Sequence, residues 1–139
     1  MHLLFLTIFT LLLPLVHSNP SVHFCQDLSH TGETTFSSPS VSDCKSLADN
    51  FSRNGGQTYP QPASGQRALG HFGTCVLGFT GTSSKGGKTI NIGNEDAARW
   101  VTQAIAFFER DLGDGVPRVG AKGDVSCVDG DGYWGVYHS

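Results

Sequence analysis

The chain has 139 residues, about one ordinary domain. Its 9 Lys+Arg against 12 Asp+Glu leave a net charge of −3, which argues against a basic nucleic-acid-binding patch. With 15% charged residues and 18 glycines, the composition excludes a coiled coil or a charge-driven disordered tail and suits a compact, turn-rich domain.

Leu3 to Val16 is almost wholly apolar, interrupted only by Thr7, Thr10 and Pro14. That stretch is short of the roughly 20 residues a bilayer span needs. Its length fits the apolar region of a secretory signal peptide, with Val16 and Ser18 at −3 and −1 of a cut after Ser18. Residues 1–18 are therefore expected as a signal peptide and 19–139 as one secreted, extracellular domain. No later apolar stretch approaches spanning length, so stable membrane insertion is not expected.

All four cysteines, Cys25, Cys44, Cys75 and Cys127, lie after the cut. An even count in a small secreted chain points to two disulfides. No pair has CxxC spacing, which argues against zinc. Of the three connectivities, Cys44–Cys75 with Cys25–Cys127 is preferred. The second would close a loop of about a hundred residues, and loops of these sizes stabilise by roughly 3–5 kcal/mol each. Asn50-Phe51-Ser52 is a glycosylation sequon.

Ser40 opens the first predicted helix, with Asp43 three residues later as a capping box. Val41, Cys44, Leu47, Ala48 and Phe51 fall on one face, and Asn54-Gly55-Gly56 stops the helix. Residues 55–66 are expected as a loop. Arg67 to Thr80 has strand character, with Gly78 marking a bulge or a close approach. Gly81 to Lys88 is expected as a turn and Thr89 to Ile92 as a short strand. Asn94 is expected to cap a second helix, with Glu95 and Asp96 in its first turn. Its apolar stripe is Ala97, Val101, Ala104, Ile105, Phe108 and Leu112, flanked by Trp100 and Phe107. Its wet face is Arg99, Thr102, Gln103, Ala106 and Arg110, and Gly113 ends it. The tail is expected as a hairpin of Asp124–Val128 and Tyr133–Tyr137 about the turn Asp129-Gly130-Asp131-Gly132. The whole predicts an α+β fold: a small disulfide-held sandwich of two helices on an antiparallel sheet.

No motif marks a catalytic centre. Asp129-Gly130-Asp131-Gly132 lacks the further ligands of a calcium loop, and a turn explains it better. His23, His30, His71 and His138 form no HxH or HxxxH pair, so no metal is expected. There is no GxSxG elbow, no GxxxxGK[ST] loop and no GxGxxG fingerprint, so no cofactor is expected. A small guanyl-type ribonuclease is the enzyme alternative. It would need a carboxylate base from Glu33, Glu95 or Glu109, His71 as acid, and Arg67 for the phosphate.

Several short motifs recur in order: Val41-Ser42-Asp43-Cys44, Gly73-Thr74-Cys75, Ile92-Gly93-Asn94-Glu95-Asp96, Val119-Gly120-Ala121-Lys122-Gly123, Ser126-Cys127 and Trp134-Gly135-Val136-Tyr137. This order resembles the necrosis-inducing factor domain of fungal secreted effectors, homologues of the Cladosporium extracellular protein two, over roughly 25–137. The resemblance implies a disulfide-held, non-enzymatic α/β sandwich similar to fungal killer toxins. It implies action in the extracellular space, the plant apoplast for a plant-associated fungus, and the chain is expected to be a monomer. The implied partner is a host or competitor surface protein, and the outcome is cell death or defence. The alternative it implies is a killer-toxin-like channel blocker, for which Lys85, Lys88 and Lys122 are the candidate contact cations.

Overall fold

A computed structural model describes residues 21–139. The expected signal peptide lies outside the described residues. In chain order the elements are β1 (Cys25–Asp27), β2 (Thr31–Gly32), α1 (Val41–Arg53), β3 (Thr58–Pro62), β4 (Gly65–Phe72), β5 (Cys75–Ser84), β6 (Thr89–Gly93), α2 (Asn94–Phe108), β7 (Arg110–Asp111), β8 (Pro117–Arg118), β9 (Ala121–Cys127) and β10 (Gly130–His138). The main sheet runs β1-β9-β10-β5-β4, with β2 also on β9, and every pairing in it is antiparallel. β3 pairs with β6, and β7 with β8, as small separate ribbons. The two helices pack on one another and on the sheet, so the α+β arrangement of two helices on an antiparallel sheet is the observed one.

Helix α1 buries Val41, Cys44, Leu47, Ala48 and Phe51, the five residues its periodicity picks out. Ser40 caps it, its hydroxyl accepting from the Asp43 amide at 3.2 Å. The reciprocal half of the capping box is diverted. The Asp43 carboxylate instead accepts from the Thr74 amide and hydroxyl at 2.8 and 2.7 Å, while the Ser40 amide donates to Thr74 Oγ1. The cap thereby fastens α1 to the β4–β5 turn.

Several expectations are corrected. Residues 55–66 contain β3. Pro60 and Pro62 sit at one parity of the β3–β6 ladder, leaving Tyr59 and Gln61 to supply the donors, so the prolines do not break it. The Arg67–Thr80 segment is two strands, β4 and β5, reversed at Gly73-Thr74, where Gly73 has φ 53°. Strand β5 continues to Ser84, which shortens the following turn. The cap of α2 is Gly93 rather than Asn94, and the helix ends at Phe108 rather than Gly113. The tail hairpin turns at Val128-Asp129, so Gly130 and Asp131 belong to β10. Arg99 does not lie on a wet face; it is half-buried in an ion-pair network.

Trp100, expected at the margin, is at the centre. Its ring stacks at 10° on Trp134 and at 9° on Phe79, with centroids 6.1 and 6.2 Å apart, and all three are essentially inaccessible. Burying rings of roughly 200 Å² at about 25 cal/mol/Å² contributes about 5 kcal/mol each before entropy. This column joins α2 to β5 and β10. Trp100 Nε1 donates to Asp27 Oδ1 at 2.8 Å, so its polar edge is satisfied.

The N-terminal segment is sewn to the start of α2. Asp96 is fully buried and accepts from the amides of Phe24 (2.7 Å), Cys25 (3.3 Å) and Gly93 (3.0 Å) and from Arg99 Nη2 (3.1 Å). Arg99 also binds Asp27 through Nε at 3.1 Å and the Cys25 carbonyl at 3.2 Å. Asn94 Oδ1 accepts from the Val22 amide at 2.9 Å. Two disulfides complete the frame. Cys25–Cys127 ties β1 to β9 across 102 residues, and Cys44–Cys75 ties α1 to β5 across 31. Non-reduced peptide mapping is expected to recover these two linkages; a peptide joining Cys25 to Cys44 would contradict this frame.

Burial works against the charge of Asp27, but hydrogen bonds from Arg99 and Trp100 outweigh it and hold the carboxyl below its ordinary value. A depressed carboxyl contributes stability above its unfolded pKa of about 3.9 and loses it as pH falls through the folded value. Urea unfolding should therefore show stability declining below about pH 4, and Asp27→Asn should flatten that decline. Curves that run parallel for the two proteins would contradict this. At neutral pH, Asp96→Ala should cost about 3–5 kcal/mol, because it strands buried amides and one side of a buried ion pair.

Candidate functional site

Alternation along the central strands divides their residues between two faces. Leu77, Phe79, Trp134, Val136 and Val125 enter the core beneath the helices. The intervening Gly78 and Thr80 of β5, Tyr133, Gly135 and Tyr137 of β10, and Lys122 and Asp124 of β9 form the outer face, with Gln66 of β4 beside Thr80. Among the described residues, no helix lies over the outer face.

Two of the three candidate lysines border this face, and both are paired. Lys122 Nζ lies 2.9 Å from Glu33 Oε1, a hydrogen bond that holds the ammonium above its ordinary range. Lys85 Nζ donates to Ser126 Oγ and to the Cys127 carbonyl, both at 2.8 Å, and lies 3.2 Å from Asp131. Hydrogen bonds from Ser126 and Lys85 hold the Asp131 carboxyl below its ordinary range. Lys88 is exposed in the β5–β6 turn, and among the described residues no ion pair engages it. The three lysines therefore do not converge on one free positive patch.

The ribonuclease candidates are not brought together either. Arg67 lies opposite Phe79 and His71 opposite Val76, positions on opposite faces of the sheet. Glu33 is paired with Lys122, Glu95 lies 3.5 Å from His23 at the start of α2, and Glu109 stands at the other end of that helix. Asp129 accepts from the Asn91 side chain at 3.0 Å, while Asp131 serves Ser126 and Lys85. The two carboxylates thus stabilise separate connections. Asn50 and Ser52 are exposed on the last turns of α1, so a glycan at Asn50 would project away from the buried face of the helix.

Beside the N-terminus of α1, a cleft of about 540 Å³ is lined by Phe36, Ser40, Thr74, Arg118 and His138. Arg118 is 2.6 Å from Asp114 and lies over the Phe36 ring, so its charge is already matched. A second cleft, of about 260 Å³, lies on the outer face between Tyr133 and Tyr137. Sequence reasoning used these tyrosines only to predict a strand. Their shared parity from 133 to 137 was a signal that they also share a face.

The fold is that of a small disulfide-braced α+β domain with one exposed sheet face. The chain belongs to the Hce2 family, described as "Pathogen effector; putative necrosis-inducing factor", which matches residues 24–127 and so includes all four cysteines. It is also similar to a protein of Penicillium expansum named "Probable chitinase LysM18", at 37% identity over 117 residues. That match covers 81% of this chain and 8% of the relative, so the chain spans only a small part of the relative's length.

Proposed function

We propose that this pathogen effector acts outside the producing cell, in the plant apoplast where the producer is plant-associated, by binding a host target and provoking cell death or defence. The observation that carries this is the family match across the whole disulfide frame. Disulfides of this kind persist in oxidising, extracellular surroundings. They also suppress the opened states that proteases cleave. The net charge of −3 and the paired lysines favour a protein or carbohydrate surface over nucleic acid as partner. The function is one of binding, carried by surface groups on a rigid scaffold.

The Penicillium relative favours a second reading. There the matching stretch is a small part of a longer protein with a chitinase name. The domain would then work as a module at a cell wall, of a host or of a competitor.

Leaf infiltration of oxidised residues 19–139 tests the first reading against the same dose of a Cys44→Ser, Cys75→Ser variant. Necrosis from the oxidised protein alone is expected. No response across several plant genotypes would overturn the host-death reading. Equal necrosis from both would remove the folded domain as its cause.

A further inference from the structure

On the outer face, Tyr137 leans from β10 across β5. A Cβ placed on Gly78 would stand 2.8 Å from Tyr137 Cε1 and 2.9 Å from its hydroxyl oxygen, so the ring occupies the space directly above that glycine. Gly135 pairs with Gly78 and keeps the adjoining strip of β10 free of side chain. Tyr133 stands on the same face and is 40% exposed. Four residues of strand separate the two tyrosines by about 13 Å. Between them lies the 260 Å³ cleft, whose polar walls include Gln66, Thr80, Glu33 and Lys122.

We propose that this cleft binds an uncharged cell-wall polysaccharide, laid across the sheet with its sugar rings against the two tyrosines. The charges on the face select for an uncharged ligand. The charged residues lining the cleft, Glu33 and Lys122, pair with each other, so an ionic polymer would meet as much like charge as opposite charge there. The same groups, with the Gln66 amide and the Thr80 hydroxyl, offer both donors and acceptors, as a ligand built of hydroxyl groups requires. Tyrosine supplies an apolar ring face with a polar edge and loses little conformational freedom when it is covered. Tyr137 covers Gly78, but a Cβ on Gly135 would meet nothing closer than 3.8 Å, so Gly135 leaves a low floor between the two tyrosines. Beyond the two tyrosines, a protein partner would call for further exposed apolar anchors at the centre of the contact. Several of the most exposed of these, including Leu28, Phe36, Phe107 and Val128, do not line this cleft. This assignment deepens the cell-wall reading and rests on it for location alone.

The test is retention of oxidised residues 19–139 on insoluble chitin, particulate β-1,3-glucan and cellulose, with polygalacturonate as the charged comparison. Tyr133→Ala removes a half-exposed ring and should leave the fold intact, as circular dichroism can verify. Gly78→Ala displaces Tyr137 without deleting it, and Lys88→Ala controls for a change away from the cleft. Retention on at least one uncharged polymer is expected. It should weaken about tenfold for Tyr133→Ala, equivalent to about 1.4 kcal/mol, weaken for Gly78→Ala and stay unchanged for Lys88→Ala. Retention on none of the three, equal retention of Tyr133→Ala, or preference for polygalacturonate would overturn the proposal. Scoring necrosis on the same preparations separates the two ideas. Retention without necrosis supports the cleft and overturns the host-death reading. Necrosis without retention does the reverse.

Discussion

Asp96 lies wholly inside the protein and gathers three backbone amides and the Arg99 guanidinium around one carboxylate. Burying that charge costs several kcal/mol, and only a full set of donors offsets it. The donors come from Phe24 and Cys25 of the N-terminal segment, from Gly93 at the end of β6, and from α2 itself. One side chain therefore fixes where the chain enters the fold and where the second helix begins. β1 depends on this arrangement. It is three residues long, too short to hold its place by ladder bonds alone, and it covers the flank of β9 that would otherwise be the sheet edge. The Cys25–Cys127 disulfide then makes the placement covalent.

With the frame anchored in this way, the central strands serve two purposes. Their inward residues build the Phe79–Trp100–Trp134 stack, whose close packing makes the sheet rigid. Their outward residues inherit that rigidity without contributing much to it. Tyr133 and Tyr137 alternate with Trp134 and Val136, so side chains can change on the outer face while the core stays the same. A surface built on strands also holds its groups more precisely than one built on loops.

Much of this could be read from the sequence where local pattern decides structure. The five-residue face of α1 follows from helical spacing, and the antiparallel tail from alternation and turn residues. The failures have particular causes. β3 was hidden by Pro60 and Pro62, which are tolerated because they share the parity that does not donate. The β4–β5 reversal needs only Gly73-Thr74, too little punctuation to divide an otherwise strand-like run. Asn94 is not the cap because its side chain is engaged by the Val22 amide, and the cap position falls to Gly93, where a Cβ would collide with the Val22 carbonyl. Arg99 looked solvated because its partner Asp27 is 72 residues away. The lysines were singled out for their charge. The charges of Lys122 and Lys85 are matched by Glu33 and Asp131, and both pairings are set by the tertiary fold.

The anchoring role of Asp96 is tested most directly by native-state amide hydrogen exchange on the oxidised protein. In oxidised residues 19–139 the amides of Phe24 and Cys25 sit near the start of the chain, where ordinary fraying would give fast exchange. Held by Asp96, they should exchange as slowly as the central amides of β5, through global unfolding. Exchange at the rate of an exposed terminus would contradict the claim that this carboxylate fixes the N-terminal strand.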